Sequence, residues 1–408
     1  MSQLFSRSAT SGACAAMVAV GGLLAAYGPA IPELKNQFGL SDATAGSGLA
    51  VQSVGAVVGV LAAQPVLHRR GNRFAVASSL LLIIIGSGLI AGAPTWSLTL
   101  TGAVVAGLGL GGCDALITQL LLIGYGERGP ALVNVAHACF GIGTVVAPAV
   151  LAGIGPENYR LVFAGVAMLG FAAAATMRGL APRPTPADAA ESTPATAASA
   201  APRLVVVGVV GGLLVLYIAH FAVQSGIGSW EPTRLHELGH SSTIAGLATS
   251  GYWLAMVVGR FAVAPIAQRV APSAVVIVSA VGMAAAVTLA FHAPATIWAY
   301  LLAGLFIGPI FPNGLNWLIT TGYAQGSTFA YVIAGAMAGA VICPPLLGAL
   351  IGSHGTDALA PTLLVGSLIT VAAAVIVWIA ARRTPDRSST NSFDPSERSY
   401  STLREADL

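Results

Sequence analysis

The chain has 408 residues, 56% of them hydrophobic and only 8% charged, where a soluble domain carries roughly 25% charge. The mean hydropathy is +0.82, and the 49 glycines follow no three-residue period. A soluble enzyme, a collagen-like rod and bulk disorder are therefore excluded, and a net charge of +3 provides no basic footprint for nucleic acid. What remains is a chain that crosses a bilayer repeatedly, using about 20 apolar residues per helix for a hydrocarbon core about 30 Å thick.

Apolar runs of that length are read at 10–32, 43–66, 73–93, 96–124, 130–152 and 158–180, and again at 204–229, 242–266, 272–293, 295–320, 326–352 and 359–381. The expected class is an all-α membrane protein with twelve transmembrane helices. It divides into a six-helix half over 1–180, a cytoplasmic linker over 181–203, a second six-helix half over 204–381 and a disordered cytoplasmic tail over 382–408. The linker is rich in proline, alanine and threonine and the tail in serine, compositions that cannot build a core. The first run is too long, and too rich in glycine and proline, for a cleaved signal, so it reads as a retained helix. Cys14, Cys113, Cys139 and Cys343 lie inside apolar runs without metal-ligand spacing and read as buried free thiols.

An even number of crossings puts both termini on one side. On that side lie Arg7, Arg69, Arg70, Arg73, Arg128, Arg178, Arg183, Arg203, Arg269, Arg382, Arg383, Arg387, Arg398 and Arg404, while the opposite loops hold only Lys35, Arg160 and Arg234. Positive loops stay in the cytoplasm, so both termini and the linker read as cytoplasmic, in an inner or plasma membrane.

The two halves overlay without a gap at an offset of 200. The identical pairs include Gly28/Gly228, Pro32/Pro232, Gly39/Gly239, Ser41/Ser241, Gly46/Gly246, Gly59/Gly259, Pro65/Pro265 and Arg69/Arg269. Small residues are the usual contacts between helices in lipid, so most of the glycine reads as packing. That includes Gly107, Gly109 and Gly112, a GxGxxG without the preceding strand that a dinucleotide site requires. HELGH at 236–240 matches the HExxH pattern of zinc proteases. It falls in a short outer loop after the seventh run, and its repeat partner, Asn36 to Leu40, has no ligands. A membrane protease is the enzyme-class alternative, and zinc content would discriminate.

Ionisable and amide groups inside apolar runs are costly and mark functional positions by default. Asp114 reads as the only carboxylate deep within a helix. His137 lies on the next helix and carries an imidazole, the side chain used most often for proton exchange in the physiological range; a satisfied packing histidine is the alternative. His220 and Gln224 are one turn apart. Asn313, Asn316 and Trp317 offer hydrogen bonds and a stacking face, or simply interhelix bonds. Gln52, Gln119, Asn134 and Tyr27 are further candidates. Trp230, Tyr252 and Trp253 read as interface anchors, and Arg260 as a side chain that snorkels to the cytoplasmic surface.

HRRGNR at 68–73 resembles the inner-loop signature of the major facilitator superfamily. Arg69, Gly71 and Arg73 match it, and His68 stands where an aspartate is usual. The second half keeps Gly259, Arg260 and Arg269, with Gln268 in the acidic place. Four stretches are similar to the fucose/glucose-permease branch: GLGLGGCDALITQ at 107–119, NVAHACFGIGTVVAP at 134–148, QSGIGSWEPT at 224–233 and GYWLAMVVGR at 251–260. Gln224 stands where a glutamate is common, and no acid lies near Gly28, where fucose permeases carry an aspartate.

The resemblance implies two six-helix halves related by a parallel repeat, with substrate bound near mid-membrane between them and access alternating as they rock. It implies a monomeric transporter of a small polar solute, sugar-like, with a proton or sodium ion as partner and no cofactor or resident metal. Asp114 and His137 are then the expected proton-coupling pair, and Arg69, Gly71, Arg73 and Arg269 the gating-loop residues. An exporter is the runner-up: Gly143 and Pro148 fit the core of the drug antiporters' helix 5 motif, although Ala147 and Ala152 replace its glycines. A receptor or flippase on the same scaffold is a third class, because fold does not settle function.

Overall fold

The computed structural model describes residues 4–182, 203–321, 332 and 334–382. Twelve helices among these are long and apolar enough to cross a membrane. They are α1 (Arg7–Phe38), α2 (Asp42–Arg70), α3 (Asn72–Gly92), α4 (Trp96–Tyr125), α5 (Gly129–Ile154), α6 (Tyr159–Thr176), α7 (Arg203–Glu237), α8 (Ser242–Ala267), α9 (Pro272–Leu289), α10 (Thr296–Thr320), α11 (Ala338–His354) and α12 (Leu359–Arg382). Most of the linker and tail, and the first residues of the run expected at 326–352, lie outside the described residues.

The starts and ends follow from local chemistry. Ser6, Ser41, Thr95 and Ser241 cap α1, α2, α4 and α8 by accepting from the amides of Ala9, Thr44, Leu98 and Ile244, the usual answer to orphan N–H groups. Gly39 and Gly239 turn the chain after α1 and α7 at φ 62° and 86°, a region that favours glycine. Two helices run further than expected. α1 continues past Pro29 and Pro32 to Phe38, and α7 past Pro232 to Glu237. A proline removes one helical donor, and neighbouring helices in a bundle absorb that loss.

Helices α1 to α6 pack on one another, chiefly α2 on α4, α1 on α5 and α6, and α3 on α4 and α6; α7 to α12 do the same through α7–α12, α9–α10, α8–α10 and α7–α11. The glycines of α4 show why. A Cβ on Gly107 or Gly111 would strike the backbone of Gln52 or Ala56 on α2, and one on Gly109 or Gly112 would strike Ser79 on α3. The GxGxxG is thus a two-faced packing stripe inside a helix. Outside the bundle, Leu161, Met168 and Phe171 on α6 and Trp298 on α10 are each more than three-fifths exposed. Apolar side chains of that size fit lipid and not water.

The two groups meet through α2–α11, α5–α8 and α1–α7. Gly46 abuts Pro344 and Gly348 abuts Asp42; Gly246 abuts Ala152 and Pro148; the Ser250 hydroxyl donates to Val145 O at 2.9 Å; Gly141 meets Val257. These contacts run from the end of the bundle that carries the 38–41 and 237–241 turns to its middle. At the other end the N-terminal segment and the start of α3 are laced to residues 180–182, where the linker begins. Phe5 bridges Leu180, Ala181 N–H donates to Leu4 O at 2.9 Å, and Asn72 N–H donates to Pro182 O at 3.0 Å.

Two expectations are corrected here. Trp230, Tyr252 and Trp253 are interior residues, at 0%, 0% and 4% exposure, and Trp230 Nε1 donates to Pro344 O at 3.0 Å; the long α7 draws them into the bundle instead of leaving them at an interface. His236 and Glu237 belong to the last turn of α7, not to a loop. The helix stops before His240, so the two histidines do not stand on successive turns, and the Glu237 carboxylate accepts from the Thr356 hydroxyl at 2.5 Å.

Candidate functional site

At mid-bundle the helices bring ionisable groups from both halves into electrostatic range of one another. Asp114 stands on α4, about 11 residues or roughly 16 Å from the helix end at Tyr125. It is half-buried and within range of His137 on α5 and Arg260 on α8. The His137 ring shares a hydrogen bond of 3.4 Å with the Thr118 hydroxyl, one turn beyond Asp114. Arg260 is in range of Asp114, of His220 on α7 and of Tyr252 on its own helix. Its Nε donates to Gly308 O at 3.2 Å, and a terminal nitrogen lies 3.8 Å from Met256 Sδ. Arg260 therefore does not snorkel away. The helix turns it inward because the Gly308 position on α10 is open enough to seat its stem. The ion pairs formed among the described residues are Lys35–Asp42 and Arg234–Asp357, so Asp114 and Arg260 are in electrostatic range across the halves without forming an ion pair.

A second wall of this region is aromatic. His220 is 1% exposed with Nδ1 unpartnered, and it meets Phe221 edge-on at 5.4 Å. Phe221 meets Phe311 at 5.4 Å, and Phe311 meets Tyr217 at 5.3 Å. The Tyr217 hydroxyl donates to Phe311 O at 3.1 Å. Gln224 is half-buried, and its carbonyl accepts from Tyr252 at 3.1 Å. Asn313, on α10 beside this cluster, donates to Pro309 O at 2.8 Å.

The remaining candidates are dispersed. Gln119 accepts from Gln64 across α2 and α4. Gln52 and Tyr27 are buried, each with an unpartnered oxygen. Trp317 is 4% exposed, whereas Asn316 and Asn134 are exposed. In the gating loop Gly71 turns the chain at φ 83°, Arg73 donates to Arg178 O, and Arg69 and Arg269 are exposed.

One carboxylate was missed. Asp114 is not the only acid deep in a helix: Glu231 on α7 is wholly buried, and both of its carboxyl oxygens are unpartnered. It is in range of Tyr252 and Tyr300. The signal was available, since Trp230 and Pro232 flank it in an apolar run, but Pro232 reads as a helix end.

The family model described as the Major Facilitator Superfamily matches residues 13–233 and 213–405. The chain belongs to that superfamily. It is a multi-pass membrane transporter, and its two sets of six helices carry the fold of the solved members. A D-xylose–proton symporter is 18% identical with a TM-score of 0.74, covering 91% of this chain and 97% of that one. A nucleoside transporter is 12% identical with a TM-score of 0.72, covering 91% and 99%. The E. coli fucose–proton symporter is 16% identical with a TM-score of 0.60, covering 91% and 97%. At these identities the likeness establishes the fold alone. No curated protein matches the chain.

Proposed function

We propose that this transporter moves a small polar, sugar-like solute across the cell membrane by alternating access, driven by protons. The observation that carries the reading is the placement of Asp114 and His137 in one half opposite Arg260 and His220 in the other. A solute seated between them touches both halves, so its binding and the charge state of Asp114 bias the same rocking motion. Phe221 and Phe311 supply apolar faces for a ring, and Gln224 and Asn313 supply amides for hydroxyls. The fucose/glucose-permease stretches at 107–119, 134–148, 224–233 and 251–260 support a sugar-like substrate, as do the xylose and fucose symporters of the same fold.

The arginine bias places the 38–41 and 237–241 turns outside and both termini, the 181–203 linker and the 382–408 tail in the cytoplasm. The halves are then sealed on the outer side. The gating-loop residues Arg69, Gly71, Arg73 and Arg269 lie at the cytoplasmic end, where Arg73 ties α3 to the residues after α6. The test is uptake by purified protein in proteoliposomes under an imposed pH gradient, with and without sodium, across pentoses, deoxyhexoses and nucleosides. Accumulation that follows the pH gradient supports the reading; sodium-driven accumulation, or none, overturns the proton.

A further inference from the structure

An open groove of about 280 Å³ lies at the end of α2, lined by Pro65, Val66, Arg69, Arg70 and Phe74. The spacing of these residues builds it. Arg69 follows Pro65 and Arg70 follows Val66 by one helical turn, so one side of α2 carries an apolar step with two guanidinium groups just beyond it. Gly71 then turns the chain at φ 83° into α3, and the Phe74 ring comes to 5.4 Å from the Arg70 guanidinium. Phe74 is half-exposed, and Leu81 and Ile85 continue its exposed stripe along α3, on the same helix face. Val58 and Leu61 are about half-exposed on α2. Val58 stands about 11 residues before Arg69, or roughly 16 Å along the helix, which is close to the hydrocarbon depth of one leaflet.

Charge adds the second argument. His68, Arg69, Arg70 and Arg73 fall within six residues, and no acid occurs between Asp42 and Asp114. Among the described residues neither Arg69 nor Arg70 forms an ion pair. The corresponding place in the second half is built differently. At the offset of 200, Pro265 and Arg269 are kept, but Val270 stands for Arg70 and Ala274 for Phe74. Both places stand at the arginine-rich end, yet only the first has two guanidinium groups beside an aromatic wall. Fixing the topology requires the arginines but neither the groove nor the ring.

We propose that this groove binds one anionic phospholipid of the cytoplasmic leaflet, its phosphate held by Arg69 and Arg70 and an acyl chain laid past Pro65, Val66 and Phe74. Guanidinium groups match phosphate oxygens in geometry as well as charge, and basic pockets at the cytoplasmic ends of membrane helices suit acidic headgroups. A free phosphate would satisfy the arginines but leave the apolar step and the exposed stripe unused. A zwitterionic lipid would fill the apolar part but bring a cation to a corner that already carries uncompensated positive charge. The leaflet follows from the arginine bias, and the site does not depend on which ion drives transport.

The experiment uses the purified full chain, with lipid retention read by native mass spectrometry. The probes are phosphatidylglycerol, phosphatidylcholine with the same acyl chains, and inorganic phosphate. Wild type is expected to retain one phosphatidylglycerol in preference to phosphatidylcholine, and excess inorganic phosphate is expected not to displace it. Arg70→Gln should weaken retention about fivefold, the weight of one arginine at an anionic surface. Phe74→Ala should weaken it with the charge unchanged, and Arg269→Gln, which removes the same charge at the repeat position, should leave it nearly as it was. Equal retention of the two lipids, displacement by phosphate, or equal losses in Arg70→Gln and Arg269→Gln would each overturn the site. A phosphatidylglycerol with a photoactivatable acyl chain tests wild type in bilayers without any substitution. It is expected to label residues 58–74 in preference to 258–274, and equal labelling of the two stretches overturns the proposal even if the variants misfold.

Discussion

Gly28 of α1 receives the carbonyl of Gly228 of α7, its own partner in the 200-residue repeat. Pro232 explains why that carbonyl is available. It stands four residues beyond Gly228 and has no N–H to donate back to it. The absence of a side chain at Gly28 then lets the freed oxygen approach the α1 backbone. The approach is lopsided, because a Cβ on Gly228 would meet the Trp253 ring at 3.0 Å and not α1.

Gly28→Ala should therefore damage transport far more than Gly228→Ala. The added methyl collides with a backbone oxygen that cannot move alone, whereas Trp253 can tilt. Overpacking costs about 1–3 kcal/mol, enough to shift a two-state equilibrium roughly tenfold away from the arrangement sealed at this end. Cysteine accessibility near 42 and 348, compared between the two variants at equal expression, measures it. Equal accessibility in both would mean that the contact does not hold the closed end.

Much of this architecture is legible in the residues and some is not, and the division has a physical basis. Gly39/Gly239 and Ser41/Ser241 appear in the sequence as repeated identities and in the structure as repeated left-handed turns and caps, because local backbone chemistry depends on local sequence. The chemistry does not repeat. The partners of Asp114, His137, His220, Glu231 and Arg260 at the same offset are Gly314, Met337, Val20, Ile31 and Val60. Asp114 and His137 stood out as polar groups in apolar runs. Arg260 was misjudged because helices built of Gly, Ala and Val show little difference between faces, so the rotation of α8 about its axis is not written in the pattern. Glu231 was missed because Pro232 normally ends a helix, and only the packing of α7 against its neighbours carries the helix five residues beyond it.

Topology has a direct check. Reporter fusions after residue 190 and at the C-terminus should both read cytoplasmic, and a fusion near 237 external, because the arginines outnumber their outer counterparts so heavily. An external reading at 190 would overturn both the six-plus-six arrangement and the assignment of the sealed end to the outside.

The HELGH segment should be dispensable for transport. His236→Ala and His240→Ala are expected to leave uptake within a few-fold of wild type, since α7 ends between them and Glu237 is engaged by Thr356 at 2.5 Å. Glu237→Gln keeps an acceptor for that hydroxyl and should cost about 1 kcal/mol or less in thermal stability. Stoichiometric zinc in the purified protein, together with loss of uptake in either histidine variant, would restore the metal reading.

Asp114 and Arg260 provide the sharpest test of the proposed cycle, because they belong to opposite halves and are in electrostatic range without forming an ion pair. Asp114→Asn copies the protonated acid and keeps its volume. PH-driven accumulation should fall to the level of simple equilibration, while counterflow exchange, which needs no net proton movement, should suffer much less. Arg260→Gln removes the positive charge that Asp114 faces, so Asp114 should hold its proton more readily and the pH profile of uptake should move to higher pH. In the double variant Asp114→Asn with Arg260→Gln neither charge remains, and exchange should recover towards wild type because no buried arginine is left without its counter-charge. His137→Ala should move the pH profile more mildly, since Thr118 and solvent replace part of its contact. The coupling energy of the Asp114–Arg260 pair, read from the double-mutant cycle on exchange rates, should be clearly non-zero. Strict additivity, with Asp114→Asn accumulating substrate as wild type does, would reduce Asp114 to a structural acid and place the coupling elsewhere in the bundle.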